Sequence, residues 1–118
     1  MRRPPDIATL RAAWWAQRAL LRARRQLPRR PLDDVELPPP PRLPPDAGRG
    51  VGALLRRREH SCLEGALVQQ RWLVACGDRR DVVIGVVAPG EAFGAHAWLD
   101  GDPVAAREPF TELRRLHP

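Results

Sequence analysis

The side chains best suited to nucleophilic chemistry are two cysteines, Cys62 and Cys76, and three histidines, His60, His96 and His117. Ser61-Cys62-Leu63-Glu64 matches the S-x-x-E capping box that opens a helix. Cys62 would then hold the first helical position, beside unpaired backbone N–H groups and the positive end of the helix dipole. That is the usual setting of a nucleophilic cysteine. His96 lies in GAHAWLDGD, residues 94–102, an alternating apolar run that ends in a turn. An imidazole on a strand facing the start of a helix can pair with a thiol as thiolate–imidazolium, deprotonate it and later protonate a leaving amine. The backbone N–H of Cys62 could serve as one oxyanion donor. Each residue also has a plainer reading. Cys62 alone is more often structural than catalytic, and His96 could be a packed ring with satisfied nitrogens. Cys76, near the far end of the same helix, reads as a structural thiol. The cysteines and histidines show no zinc-ligand spacing, and thiol chemistry requires neither metal nor cofactor, so none is expected.

The residues around these two positions carry a resemblance. Ser61-Cys62-Leu63-Glu64 is followed by Gln69, Arg71-Trp72-Leu73 and Gly77, then by Ile84-Gly85-Val86 and by Phe93-Gly94-Ala95-His96-Ala97-Trp98. In order and spacing this resembles the leader-peptidase component of lasso-peptide biosynthesis, a cysteine protease of transglutaminase-like, papain-related fold. The likeness spans residues 5–118. It implies Cys62 as nucleophile, His96 as base, and removal of the leader from a ribosomally made precursor peptide. It also implies partners: a separate winged-helix protein that grips the leader, and a synthetase related to asparagine synthetase that closes the macrolactam. A chain of 118 residues leaves no room for its own leader-gripping domain, so a separate one is expected. An acidic residue a dozen positions after the histidine is typical of the family, usually aspartate; here Glu108 stands at that offset. Asp100 lies about 13 Å along the strand from His96 at ~3.3 Å per residue, and Asp102 sits in or beside the turn. A hairpin turning at 100–102 would bring residues 105–107 opposite His96, with Glu108 adjacent. A solvated surface glutamate is an equal reading of Glu108. Trp98 shares the face of His96 and could line a substrate groove or simply pack.

These positions need elements to hold them. Residues 7–27 read as a helix, with Asp6 as N-cap and Pro28 as the stop. Ile7, Leu10, Trp14 and Leu21 suggest its packing face, and Arg11, Arg18, Arg22, Arg25 and Arg29 a solvated one. Eight of the fourteen prolines lie between Pro28 and Pro45, so 28–49 should run as an extended, partly polyproline strap. Val35, Leu37 and Leu43 would anchor it, though a docking site for a proline-binding module is also open. Residues 51–58 suggest a short helical turn. Residues 60–77 form the cysteine helix, with Leu63, Ala66, Leu67, Leu73, Val74 and Cys76 as its apolar stripe and Gly77 as terminator. Residues 81–87, DVVIGVV, read as a central strand, with a turn at Pro89-Gly90, a strand over 93–99 and a short third strand near 104–107. The tail from Glu108 should be irregular or a brief helical turn. The fold class is α+β, transglutaminase-like, with a catalytic helix on a small antiparallel sheet. One domain over 1–118 is expected: helix 6–27, strap 28–49 and catalytic core 50–118.

Net charge is +6, and all twenty basic residues are arginine. Such a field attracts anionic partners, but without a recognised reading motif nucleic acid is not the expected one. The opening MRRPPD has no apolar core after its charges, so no signal peptide is expected, and without a run of 18 apolar residues no stable membrane insertion is expected. The two cysteines, about 21 Å apart on one helix, cannot bridge. A reducing, cytoplasmic setting follows as an expectation. Two rival readings remain: a catalytically silent adaptor of the same fold that binds precursor or synthetase, and a basic membrane- or nucleic-acid-binding protein.

Overall fold

Asp6 opens the first helix as expected, its Oδ1 accepting from the Thr9 N–H at 2.7 Å. The computed structural model describes residues 6–87, 95–102 and 110–118. It divides into two compact units that meet in sequence between His60 and Ser61.

In the first unit, α1 (Ile7–Gln26) packs against α2 (Gly48–Arg57). The buried side of α1 is not the one its large apolar residues suggest. Ala12, Ala16, Ala19 and Ala23 are fully buried, with Thr9, Trp15, Leu20 and Gln26 beside them, whereas Ile7, Leu10, Trp14 and Leu21 are exposed. The reason is close approach. Small side chains let two backbones meet, and Gly50 of α2 sits where any side chain would collide with the Thr9 carbonyl. A face of Ile, Leu and Trp could not admit that contact.

The strap is irregular, as its prolines require, apart from two short 3-10 turns at Leu32–Asp34 and Pro45–Ala47. Pro31 and Pro44 hold polyproline-like dihedrals. Its fixings are polar. Gln26 donates from Nε2 to the Glu36 carbonyl at 2.9 Å and accepts from the Glu36 N–H at 2.8 Å, as a strand partner would. Trp15 Nε1 donates to the Pro38 carbonyl at 3.0 Å. Val35, Leu37 and Leu43, the expected anchors, are only half-buried. The helical turn expected at 51–58 is the ten-residue α2.

In the second unit, α3 (Cys62–Ala75) packs on a sheet of β1 (Val82–Val87), β2 (Ala95–Leu99) and β3 (Phe110–Leu116), in the order β2-β1-β3. Both pairings are antiparallel. The α+β arrangement, with a helix on a small antiparallel sheet, is the one expected. β1 is central, and Val82 and Val83, neighbours that point to opposite faces, are both buried. Val82 pairs with Leu99 on one side and Leu116 on the other, a cross-strand trio in the core.

Two expectations need correction. The C-terminal segment is neither irregular nor helical: it forms β3 along the open edge of β1, where pairing supplies what its polar sequence does not advertise. And α3 is not buried along one stripe. The successive residues Gly65, Ala66, Leu67 and Val68 are all buried, which is a full turn of its circumference, with Gln70 and Trp72 beyond; Leu63, Leu73, Val74 and Cys76 are half-buried. The turn expected at Pro89-Gly90, the start of the strand at Phe93 and the third strand near 104–107 lie outside the described residues.

Candidate active site

Local sequence fixes the start of α3. Ser61 Oγ accepts from the Glu64 N–H at 3.1 Å, and Glu64 Oε1 accepts from the Ser61 N–H at 2.8 Å, so both halves of the capping box are made. The box consumes the N–H groups of Ser61 and Glu64. Those of Cys62 and Leu63 are left among the orphan donors of the first turn. Cys62 is half-buried and not disulfide-bonded. Its row on the helix continues through Ala66 to Gln70, at i+4 and i+8. Gln70 is buried and donates from Nε2 to the carbonyls of Leu116 at 2.8 Å and Arg80 at 2.9 Å. Leu116 belongs to β3, so this row lies on the sheet side of α3.

Cys76 occupies the C-cap of α3 and is half-buried. Burial pushes its thiol above the ordinary cysteine value, and the negative charge of Asp78 adds to the rise. Both effects keep it protonated. Gly77 follows with φ +85, the left-handed conformation that ends the helix.

His96 is the second residue of β2, half-buried, and pairs across the sheet with Gly85 of β1. Its ring stacks on Trp98, centroid to centroid 6.1 Å at an interplanar angle of 28°. Ala97 and Leu99, on the other face of the strand, are buried, so the alternation read from the sequence holds there, whereas Ala95 on that same face is exposed. The Trp98 ring reaches over Gly85: a Cβ on that glycine would lie 2.7 Å from its outermost ring carbon and 3.1 Å from the Thr111 carbonyl oxygen. The tryptophan thus fills the place of a side chain between β2 and β1 while holding one side of the imidazole. The other two histidines are engaged elsewhere. His60 Nε2 donates to the Leu55 carbonyl at 3.0 Å, and His117 Nδ1 donates to Asp81 Oδ1 at 2.8 Å.

Cys62 and His96 therefore stand on two elements that pack together, α3 and β2. Glu108 lies outside the described residues. Asp100 is taken up by Arg115 Nη1 at 3.0 Å, within a charged cluster that sequence reasoning missed. Arg115 also meets Glu112 at 2.8 Å and Asp81 at 3.4 Å. The hydrogen bond from His117, with those from Arg115, holds the Asp81 carboxyl below its usual range against the opposing effect of burial. The Arg115 guanidinium is correspondingly raised by its three carboxylate partners, Glu112 foremost. The cluster gathers at the Val82–Leu99 end of the hairpin, where the Asp100 N–H bonds the Asp81 carbonyl. It could not have been found before β3 was placed. Among the described residues no cluster of His, Cys, Asp and Glu could hold a metal ion. No described helix is long and apolar enough to cross a membrane.

A capped cysteine helix packed on a small antiparallel sheet that carries a histidine strand places the chain in the α+β class. Within it, the chain belongs to the transglutaminase-like superfamily, whose family model matches residues 5–117. That superfamily includes cysteine peptidases. Neither a search of curated proteins nor one of solved structures gave a significant match.

Proposed function

We propose that this protein is a cysteine peptidase that removes the leader from a lasso-peptide precursor. The observation that carries the reading is the placement of Cys62 at the head of a fully capped helix, on the row that faces the sheet bearing His96. The thiolate of Cys62 attacks the scissile carbonyl, and the N–H of Cys62 donates to the oxyanion. His96, protonated in the pair, gives its proton to the leaving amine; water, deprotonated by His96, then hydrolyses the thioester and frees the thiol. Glu108 holds the imidazole by accepting from its other nitrogen. The substrate class rests on the sequence resemblance, with Ser61-Cys62-Leu63-Glu64 and Ala95-His96-Ala97-Trp98 as its two halves. A separate leader-recognition protein delivers the precursor, and a macrolactam synthetase takes the product.

The test is cleavage of a lasso-peptide precursor, followed by mass spectrometry, with the leader-recognition protein present. Cys62→Ala and His96→Ala should each lose turnover by orders of magnitude. Cys76→Ala should cut normally, and Glu108→Gln should lose about 10–100-fold, less than the acid-to-amide change in a serine triad. Iodoacetamide should label Cys62 well before Cys76, whose thiol is held protonated. Cleavage that survives Cys62→Ala would refute the peptidase assignment. A wild-type rate in Glu108→Gln would leave a Cys62–His96 dyad.

A further inference from the structure

We infer that the exposed apolar stripe of α1, walled by the proline strap, docks an acidic amphipathic helix of a partner protein. Ile7, Leu10, Trp14 and Leu21 are 77%, 56%, 68% and 48% exposed. Ile7, Leu10 and Trp14 stand at i, i+3 and i+7, a stripe along about 11 Å of helix, and Leu21 follows two turns on, beyond Arg18. Exposed apolar residues are ordinarily scattered singly, and three that adjoin on one helix face mark an interaction surface. This row is no bare ridge. Pro38, Pro39 and Pro41 stand beside Leu10 and Trp14 and enclose with them a groove of about 530 Å³. The wall is pinned by the bond from Trp15 Nε1 to the Pro38 carbonyl and by the doubled Gln26–Glu36 pairing, so the groove is preformed.

Charge identifies the occupant. Arg11 and Arg18 line the groove, and Arg22 and Arg25 continue the same edge of the helix. No carboxylate occurs between Ile7 and Gln26, and among the described residues these four arginines engage none. An apolar floor edged by unneutralised guanidinium groups suits a helix with aliphatic residues at i, i+3 and i+7 and Asp or Glu on its flank. A lipid surface is a poorer fit, because the strap walls off a face that would have to lie flat in it. Nucleic acid is poorer still: phosphates would engage the arginines but leave Ile7 and Leu10 without partners. The inference does not rest on the peptidase reading, since binding is measured without turnover.

The experiment is an anisotropy titration of the full chain with a fluorescein-labelled synthetic helix carrying leucines at heptad spacing and glutamates on the flanks. A second peptide has every glutamate replaced by glutamine. Saturable binding of the first, at least tenfold tighter than of the second and weakened by salt, is expected. Leu10→Ser and Trp14→Ala should each weaken it about tenfold or more. The double change Arg11→Glu, Arg18→Glu should erase the preference for glutamate. All four side chains are exposed, so unchanged thermal unfolding is expected in these variants. Leu113→Ser, at an exposed apolar residue of β3, should bind as wild type. No saturation by about 1 mM, equal affinity for both peptides, or indifference to Leu10→Ser and Trp14→Ala would each overturn the inference. So would binding to phosphatidylglycerol vesicles or duplex DNA that these substitutions abolish while the acidic peptide fails to bind.

Discussion

At Gly85 a missing side chain positions a ring. The residue pairs with His96 across β2 and with Glu112 across β3, and the Trp98 ring lies in the space a Cβ would occupy. Gly85→Ala would press on that ring from below and on the Thr111 carbonyl from the side, and a backbone carbonyl in a paired strand gives little. The ring must shift, and His96 is stacked on it. Gly85→Ala is therefore expected to lower stability by about 1–3 kcal/mol, the usual cost of overpacking. It should also change tryptophan fluorescence and reduce precursor cleavage beyond what the stability loss explains. Cleavage at the wild-type rate by a folded Gly85→Ala protein would show that the stack does not position His96. The sequence displayed Ile84-Gly85-Val86 as a pattern but gave no reason for the glycine. The reason is the tryptophan thirteen positions later, and it becomes visible only when β2 pairs with β1. The capping box was different: all of its atoms lie within four residues, and it could be read in full.

The elements divide by the same rule. α1, α3 and β1 announce themselves through caps, terminators and a β-branched run, all local signals. The packing side of α1 does not, because it is chosen by Gly50, forty positions away, which prefers alanines to the larger Ile7, Leu10 and Trp14. β3 is hidden for the same reason. Thr111, Glu112, Arg114 and Arg115 make it look like a polar tail, and a bulge where Ile84 meets Arg114 and Gly85 meets Glu112 breaks its alternation. What ties β3 to the end of the hairpin is its charge cluster, and that cluster has a pH signature. Asp81 is held below the ordinary carboxylate range by His117 first, then by Arg115. A carboxyl depressed in the folded state contributes stability that is present above its unfolded value, about pH 4, and is lost as pH falls through the folded value. In thermal unfolding from neutral pH downward, Asp81→Asn should melt below wild type near pH 7, and the gap should close below about pH 4. Melting curves that stay parallel throughout would mean that Asp81 contributes through packing and not through its charge.

Across the whole chain, twenty arginines and no lysine set the places where trypsin can cut. Composition alone points to the strap as the first place to be cut, since it is long, irregular and proline-rich. The structure argues otherwise. Arg29 and Arg30 donate their N–H groups to the Gln26 carbonyl, Arg30 precedes Pro31, and Arg42 sits among prolines in a segment pinned at Glu36 and Pro38. The arginines of α1 and of β3 lie within hydrogen-bonded elements, and the Arg80 carbonyl is held by Gln70. Cleavage needs several residues to leave their hydrogen bonds together, so accessible arginines inside such elements are cut slowly. At the end of α2, Arg56, Arg57, Arg58, Glu59, His60 and Ser61 are all exposed, and the backbone turns extended at Arg58. The boundary between the two compact units falls in this run. Among the arginines of the described residues, limited trypsin digestion under native conditions is expected to cut first after Arg57 or Arg58, as read by the fragment masses. First products cut after Arg29 or Arg42 would mean that the strap opens more readily than its bonds to Gln26 and Trp15 allow.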